Sequence, residues 1–439
     1  PGMQESRYIT QHLVSGMGHL DKMNIQSYSD YRSNMAEKAL PFLDAKLHKD
    51  YQDLKRYKRD LKKDNLSYIQ VHYLYTRSFY DYIPVQSQYQ EAFDYYKGQA
   101  EKYWLSRSKY MQGMIALALD RFDKKDSKVA GEIMESLRQN AVRNDEMGMY
   151  YKSNTGGWYW YQAPIETQAL LIEAFSEVAN DEESVEDLKV WLLKQKQTQD
   201  WKTTKATTEA CYALLMEGTD WLAQDALVDI TIGGQKIDPR QMPEVKVEAG
   251  TGYFKKHWKG EEVTADMANI TVSKKDKGVS WGSVYWQYFE QLDKITPAKT
   301  PLALKKELFL EKITTNGKEL VPLTEGAKIN VGDKVMVRVE LRSDRDMEYI
   351  HLKDMRASGF EPVNVLSQYK YQDGLGYYES TKDASTNFFI GYLRKGTYVF
   401  EYPLRASHKG EFSNGITSVQ CMYAPEFTSH SEGIRVKID

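Results

Sequence analysis

Two grammars of apolar and polar positions share this chain, and one gives way to the other near residue 222. Before that point apolar residues recur every three or four positions, the spacing of a helix face. Ile9, Leu13, Gly16, Met17 and Leu20 form a small-and-apolar stripe. Leu66, Ile69, Tyr73, Leu74 and Tyr80 form a second, and Tyr110, Met111, Met114, Ile115, Leu117, Ala118 and Phe122 a third. Val129, Ile133, Met134 and Leu137 continue the series, then Ile165, Ala169, Ile172, Ala174 and Phe175, then Val185, Leu188, Trp191 and Leu192. Polar clusters such as Asn180-Asp181-Glu182-Glu183-Ser184 separate them, and the Lys- and Asp-rich stretch from Tyr51 to Asn65 reads as a solvated outer helix.

Within this half the chain repeats itself. Trp160 is followed seven residues later by Thr167, and Trp201 seven residues later by Thr208, each Thr leading into an Ala/Leu-rich run. The offset between the tryptophans is 41 residues (201 − 160), about one helical hairpin. A period of that size means stacked units, each too small to bury its own apolar face. The reading is an α/α array in which an aromatic marks the turn and a Thr caps each inner helix.

After about residue 223 alternation and turns replace the helical period. Leu227 to Ile232 runs into Gly233-Gly234, a hairpin signal. Val245–Val247, Ile270–Val272 and Val279–Tyr288 have strand character, and a second block opens at Leu304. It includes Phe309–Ile313, Lys334–Leu341, Tyr349–Asp354, Tyr398–Tyr402 and Ile434–Ile438. Short, regularly spaced strands of this kind make a β-sandwich. Pro297-Ala298-Lys299-Thr300-Pro301 is the expected seam, giving three domains: 1–222 an incomplete α/α toroid, 223–297 a small β unit, and 298–439 an antiparallel β-sandwich.

Composition narrows the function classes. A chain of 439 residues exceeds one core. Its net charge of −3 lacks the basic face a nucleic-acid partner requires, and no apolar run approaches a membrane span. Cys211 and Cys421, the only cysteines, have no metal or redox spacing. A start at Pro1, without Met or an apolar leader, is expected of a piece of something longer.

Candidate chemistry is sparse. His12 and His19 lie seven apart on one helix, but no third ligand completes a zinc site; packing and capping are the expected roles. Trp158-Tyr159-Trp160-Tyr161 suits a carbohydrate platform or contact patch, yet its echo at Trp201 favours filling between hairpins. Gly250-Thr251-Gly252-Tyr253-Phe254 lacks the Lys-Ser of a phosphate loop and reads as a β-turn. Cys211, in an Ala/Leu-rich helix, reads as a small buried hydrophobe. Gly359-Phe360-Glu361-Pro362 reads as a corner between strands with Phe360 plugging the sandwich end. No catalytic, cofactor-binding or metal-binding residue is assigned, and no cofactor is expected.

Several strings resemble a known family. Gly359-Phe360-Glu361-Pro362-Val363-Asn364, Gly396 to Tyr402, Gly410-Glu411-Phe412 and Met422-Tyr423-Ala424-Pro425-Glu426-Phe427 look like the carboxy-terminal β domain of bacterial α2-macroglobulin-like proteins. Trp158 to Leu215, with Arg7 to His12 and Gly18 to Leu20, resemble the helical toroid before it, the thioester domain. The resemblance implies a protease trap: a cut bait segment, a rearrangement, and a thioester that acylates the attacker. That bond needs Cys-x-Glu-Gln, but Tyr212-Ala213-Leu214 follow Cys211 and Met422-Tyr423-Ala424 follow Cys421. Either the motif lies upstream of Pro1 or this branch lacks it.

The expectation is a non-enzymatic piece of such a trap, acting as scaffold and docking surface. Its partners are proteases, through the parent protein, and other domains of the parent chain. A periplasmic, outer-membrane-anchored or extracellular place follows from the resemblance. Relatives' toroids have about six hairpins, so an apolar groove is expected near Ile9, Leu13 and Met17, with self-association or an exposed patch there. The rival reading is a polysaccharide lyase, which shares an α/α toroid plus β-sandwich layout and needs a Tyr/His proton-transfer pair in one cleft. A third reading is an adhesion or assembly module.

Overall fold

The computed structural model describes residues 5–156, 163–216, 228–248, 252–274, 280, 282–315, 317–323 and 327–439. They fall into two compact units, one of residues 1–194 and 201–280 and the other of 195–200 and 281–439. The Trp158–Tyr161 cluster, Trp160 and the expected boundary at 222 lie outside the described residues.

The helical part of the first unit has α1 (Arg7–Lys22), α2 (Ser29–Arg56), α3 (Tyr68–Ser78), α4 (Ser87–Tyr103), α5 (Lys109–Phe122), α6 (Lys128–Gln139), α7 (Pro164–Glu177), α8 (Glu182–Thr198) and α9 (Thr204–Met216). Serines open several of them: Ser6, Ser108 and Ser127 accept from the backbone N–H of Ile9, Met111 and Ala130. Helices α1, α3, α5, α7 and α9 pack in succession as an inner row, with α2 and α4 packed on each other outside. Helices α3, α5 and α7 are buried nearly all round, as interior helices are. Gln70 through Ser78, Gln112 through Asp120 and Glu166 through Phe175 are buried without interruption. Gly18 lets α1 approach α3, because a Cβ there would stand 2.5 Å from Cγ of Phe79.

Thr167 and Thr208, the threonines of the sequence repeat, take equivalent places in α7 and α9, but not the role expected of them. Thr167 and Thr208 do not cap their helices. Each hydroxyl donates to the carbonyl four residues back, Ala163 and Thr204, both at 2.8 Å; Thr203 caps α9, its oxygen 3.0 Å from the Ala206 nitrogen. The predicted helix from Tyr51 to Asn65 also stops early, at Arg56. Asn65 then holds the loop by donating to the carbonyls of Asp60 and Lys63. A hairpin that the helical reading missed joins β1 (Val142–Asn144) to β2 (Gly148–Tyr150).

The small β region is a sheet of β3 (Asp229–Ile232), β4 (Gln235–Ile237) and β5 (Ile270–Ser273), ordered β4-β3-β5. Gly233 and Gly234, at φ +56° and +78°, make the expected hairpin turn. Val245–Val247 and residues 282–288 are not strands. Strand propensity is a fit to a half-buried pleated surface, and Val284, Tyr285, Trp286 and Tyr288 are exposed instead.

The second unit holds β6 (Leu302–Thr314), β7 (Gly317–Pro322), β8 (Lys334–Ser343), β9 (Met347–Met355), β10 (Phe360–Pro362), β11 (Gln368–Gln372), β12 (Leu375–Lys382), β13 (Ser385–Leu393), β14 (Gly396–Ala406), β15 (Gly410–Gly415), β16 (Thr417–Cys421), β17 (Ala424–His430) and β18 (Ile434–Ile438). They form a five-stranded sheet, β10-β14-β8-β6-β7, a six-stranded sheet, β11-β12-β13-β9-β16-β17, and the pair β15-β18. The ladders between these strands are antiparallel. Alternation fills the space between the sheets: Val335, Val337, Val339 and Leu341 of β8 are buried while their neighbours turn outward. Gly359–Pro362 is corrected: Phe360–Pro362 is itself a strand on β14, and Phe360 joins the core.

Candidate functional site

The inner row of helices meets around a buried polar network. Glu173 of α7, 1% exposed, accepts from Tyr75 of α3 at 2.6 Å and from Nη2 of Arg121 of α5 at 2.7 Å. Arg121 also holds Glu177, one turn further along α7, through Nε at 2.8 Å and Nη2 at 2.6 Å. Its guanidinium lies 4.2 Å over the Phe79 ring, and Lys22 of α1 reaches Glu173 at 3.3 Å. His19 of α1 shares a 2.7 Å hydrogen bond with the Tyr75 hydroxyl and stacks on Tyr212 of α9, centroids 4.0 Å apart. Its Nδ1 lies 4.0 Å from Glu209 of α9. The two ends of the inner row therefore touch through His19.

The electrostatics follow from this geometry. Burial pushes Glu173 up, but Arg121, His19 and Lys22 outweigh it and hold the carboxyl well below its ordinary value. Glu177 is likewise lowered: Arg121 overcomes its burial. Burial raises Glu209, and His19 and Lys205 only partly oppose it. Burial and the neighbouring Glu173 raise the Tyr75 hydroxyl far above its usual range.

Toward the amino-terminal ends of the same helices the lining is aromatic. Tyr68 stacks on His72 at 5.5 Å and on Tyr110 at 6.4 Å, while Lys205 donates to the Tyr110 hydroxyl at 3.4 Å. His72 is pushed down to about 3 by burial and nearby cations, and its Nδ1 lies 3.1 Å from Gln11 Nε2. His12 stacks on Tyr8. The two histidines singled out in the sequence thus go to different clusters. Among the described residues no group of three His, Cys, Asp or Glu is placed to hold a metal.

Tyr75, His19 and Arg121 form the trio a lyase would need, but not in a usable state. The tyrosine hydroxyl is committed to a carboxylate and the guanidinium is held by two, so neither can serve a substrate. The arrangement can tie five helices together. Sequence reasoning missed it. The available signal was Glu166, Glu173 and Glu177 inside an otherwise apolar helix, since buried charges are kept only when paired.

A second buried centre lies in the sandwich. Lys306 of β6 and Asp354 of β9, whose side chains are each 0% exposed, pair at 2.7 Å. Tyr402 of β14 and Thr417 of β16 donate to the same carboxylate, and Lys306 also donates to the Met355 carbonyl at 2.7 Å. This cluster stitches one sheet to the other. Cys421 is buried, whereas Cys211 is exposed, contrary to the buried role expected of it. Helix α9 buries Ala206, Ala210, Tyr212 and Ala213, and Cys211 falls on its opposite side. Gly252, at φ +66°, bonds back to the Glu248 carbonyl in a turn; Gly250 and Thr251 lie outside the described residues. Among the described residues no helix is long and apolar enough to cross a membrane.

Residues 302–426 match the bacterial Alpha-2-macroglobulin MG10 domain. Among solved structures, the chain is similar to a Salmonella alpha-2-macroglobulin mutant, 14% identical, covering 99% of this chain and 26% of that one at a TM-score of 0.33. It is also similar to trypsin-activated alpha-2-macroglobulin from Escherichia coli, 11% identical, covering 99% of this chain and 28% of that one at a TM-score of 0.41. The chain therefore spans about a quarter of the length of those structures. Circularly permutated Ras protein 2 of Dictyostelium discoideum is 27% identical over 112 residues, 26% of this chain and 3% of that protein.

Proposed function

The chain is an alpha-2-macroglobulin-like family member carrying the family's MG10 domain, and from that premise we propose that it is the non-catalytic carboxy-terminal part of a conformational protease trap. The MG10 match carries the reading. The helical network supports it, because its polar groups are spent on each other rather than offered to a substrate. In this reading the parent protein engages the protease, and this region is rigid scaffold and docking surface for the parent's other domains. The division at 222 and 297, the periplasmic, outer-membrane-anchored or extracellular place, and self-association through the Ile9–Leu13 face belong to the same proposal. Ile9 and Leu13 are 52% and 53% exposed.

The test is incubation of the parent polypeptide with a serine protease. Cleavage of a protein substrate should fall while cleavage of a small peptide substrate persists. Equal cleavage of both substrates with and without the parent would sink the reading. Turnover of a uronic-acid polymer, followed by absorbance of the unsaturated product, should be absent; robust turnover would restore the lyase.

A further inference from the structure

The outward face of the six-stranded sheet carries an aromatic row. In register across four strands stand Tyr369 of β11, Tyr378 of β12, Phe389 of β13 and His351 of β9. Tyr369 and Phe389 are 83% and 41% exposed. The rings contact one another, Tyr369 edge-on to Tyr378 at 5.0 Å and Phe389 stacked on His351 at 4.7 Å. Two residues along β12 and β13, the next outward positions are Gly376 and Gly391. A Cβ on Gly391 would meet nothing within 4 Å, and one on Gly376 only the Tyr371 ring at 3.7 Å. Exposed Tyr371 stands on one side of this gap, and exposed Tyr349, with Tyr423 edge-on to it at 5.0 Å, on the other. Neither glycine has a positive φ, so turn geometry does not explain them. Glycine inside a strand often marks a bulge, a tight bend, or a place where a ligand or another backbone comes close.

We propose that this glycine-floored, aromatic-walled trough binds a linear polysaccharide of neutral or weakly anionic repeat. Sugar rings present flat C–H faces to aromatic rings and hydroxyls to short polar groups. In the neighbouring cross-strand row, Ser380, Asn387, Lys353 and Ser418, Ser380 and Asn387 are buried, and exposed Lys353 and half-buried Ser418 are the polar groups in reach. Charge complementarity selects the occupant: the outward positions of these rows on β11, β12, β13 and β9 hold Lys353 and His351 and no carboxylate, which disfavours a basic peptide. The inference does not depend on the protease reading.

The experiment is affinity electrophoresis of the whole chain through gels holding a soluble β-glucan, a chitin-type polymer or a glucuronate-containing polymer. Retardation should appear with at least one. Gly391→Val should abolish it with unchanged thermal unfolding, because the added methyls enter open space and β-branched residues suit strands. Tyr378→Ala with Phe389→Ala should weaken it about tenfold, the scale of one lost aromatic contact. No retardation by any polymer, or equal retardation of Gly391→Val, overturns the proposal. So does a Gly391→Val effect confined to self-association or to peptide binding.

Discussion

Each half of the protein buries a carboxylate almost completely, and the two halves do it differently. In the helical part, Glu173 is shared by side chains from three other helices. In the sandwich, Asp354 is held by one lysine and two hydroxyls from strands already fixed by their ladders. Apolar helices can slide and rotate against one another at little cost, so a directional network sets which helix faces which. A sheet has its register set by backbone hydrogen bonds, and its buried pair needs only to fix one sheet over the other.

The sharpest way to break that contrast is at Asp354. Asp354→Ala leaves the Lys306 ammonium buried and unpaired, and should cost about 3–5 kcal/mol by denaturant unfolding. Adding Lys306→Met should recover most of it, since an apolar pair tolerates burial that a lone charge does not. No recovery would mean that the hydroxyl bonds, not the ion pair, hold the sheets.

Glu173→Gln should cost about 3 kcal/mol in the helical part, slightly less because Arg121 keeps Glu177. Its pH signature separates the two halves. Glu173 and Glu177 sit below the ordinary glutamate value of 4.5. Their stabilisation is therefore complete above that value and is lost as pH falls through their folded values. Glu209 is raised, so it penalises the fold increasingly as pH rises from 4.5 toward neutral. Glu209→Gln should raise the neutral-pH Tm, and Glu173→Gln should flatten the acid limb of helical circular dichroism. An unchanged acid limb in Glu173→Gln would remove the network as its source.

Gly148→Ala should cost at least about 2 kcal/mol. Its φ is +65°, and a Cβ would stand 2.1 Å from the Asp187 carbonyl oxygen. A normal Tm would show that the β1–β2 hairpin can move away. Smallest in stability, Ile9→Glu with Leu13→Glu should change Tm by under about 0.5 kcal/mol equivalent. The same pair should abolish concentration-dependent association in sedimentation velocity. Association that survives the change would move the contact elsewhere.

Much of the fold was legible, and for particular reasons. Ala169, Ile172 and Phe175 recur at helical spacing, and Val335, Val337 and Val339 alternate, because each position reports the face it must bury. The 41-residue echo located two inner helices. Thr167 and Thr208 are legible as equivalents but not in their role, since a cap and a back-bonded hydroxyl look alike in sequence. Val284–Tyr288 has strand composition and no strand partner among the described residues, which composition cannot report. The buried network was not read, because Tyr75, Arg121 and Glu173 are far apart in the chain and each alone resembles a surface residue.

Sequence by itself determined the order of elements, the change from helix to strand, and the absence of Cys-x-Glu-Gln from these 439 residues. These rest on local preferences and periodicity, which neighbours along the chain supply. Only the tertiary structure decided that His19 joins the ends of the inner row and that Lys306 meets Asp354. It also decided that Gly376 and Gly391 open a trough between tyrosines. Each depends on which distant segments come within hydrogen-bond or contact range, and that is set by the packing of whole elements.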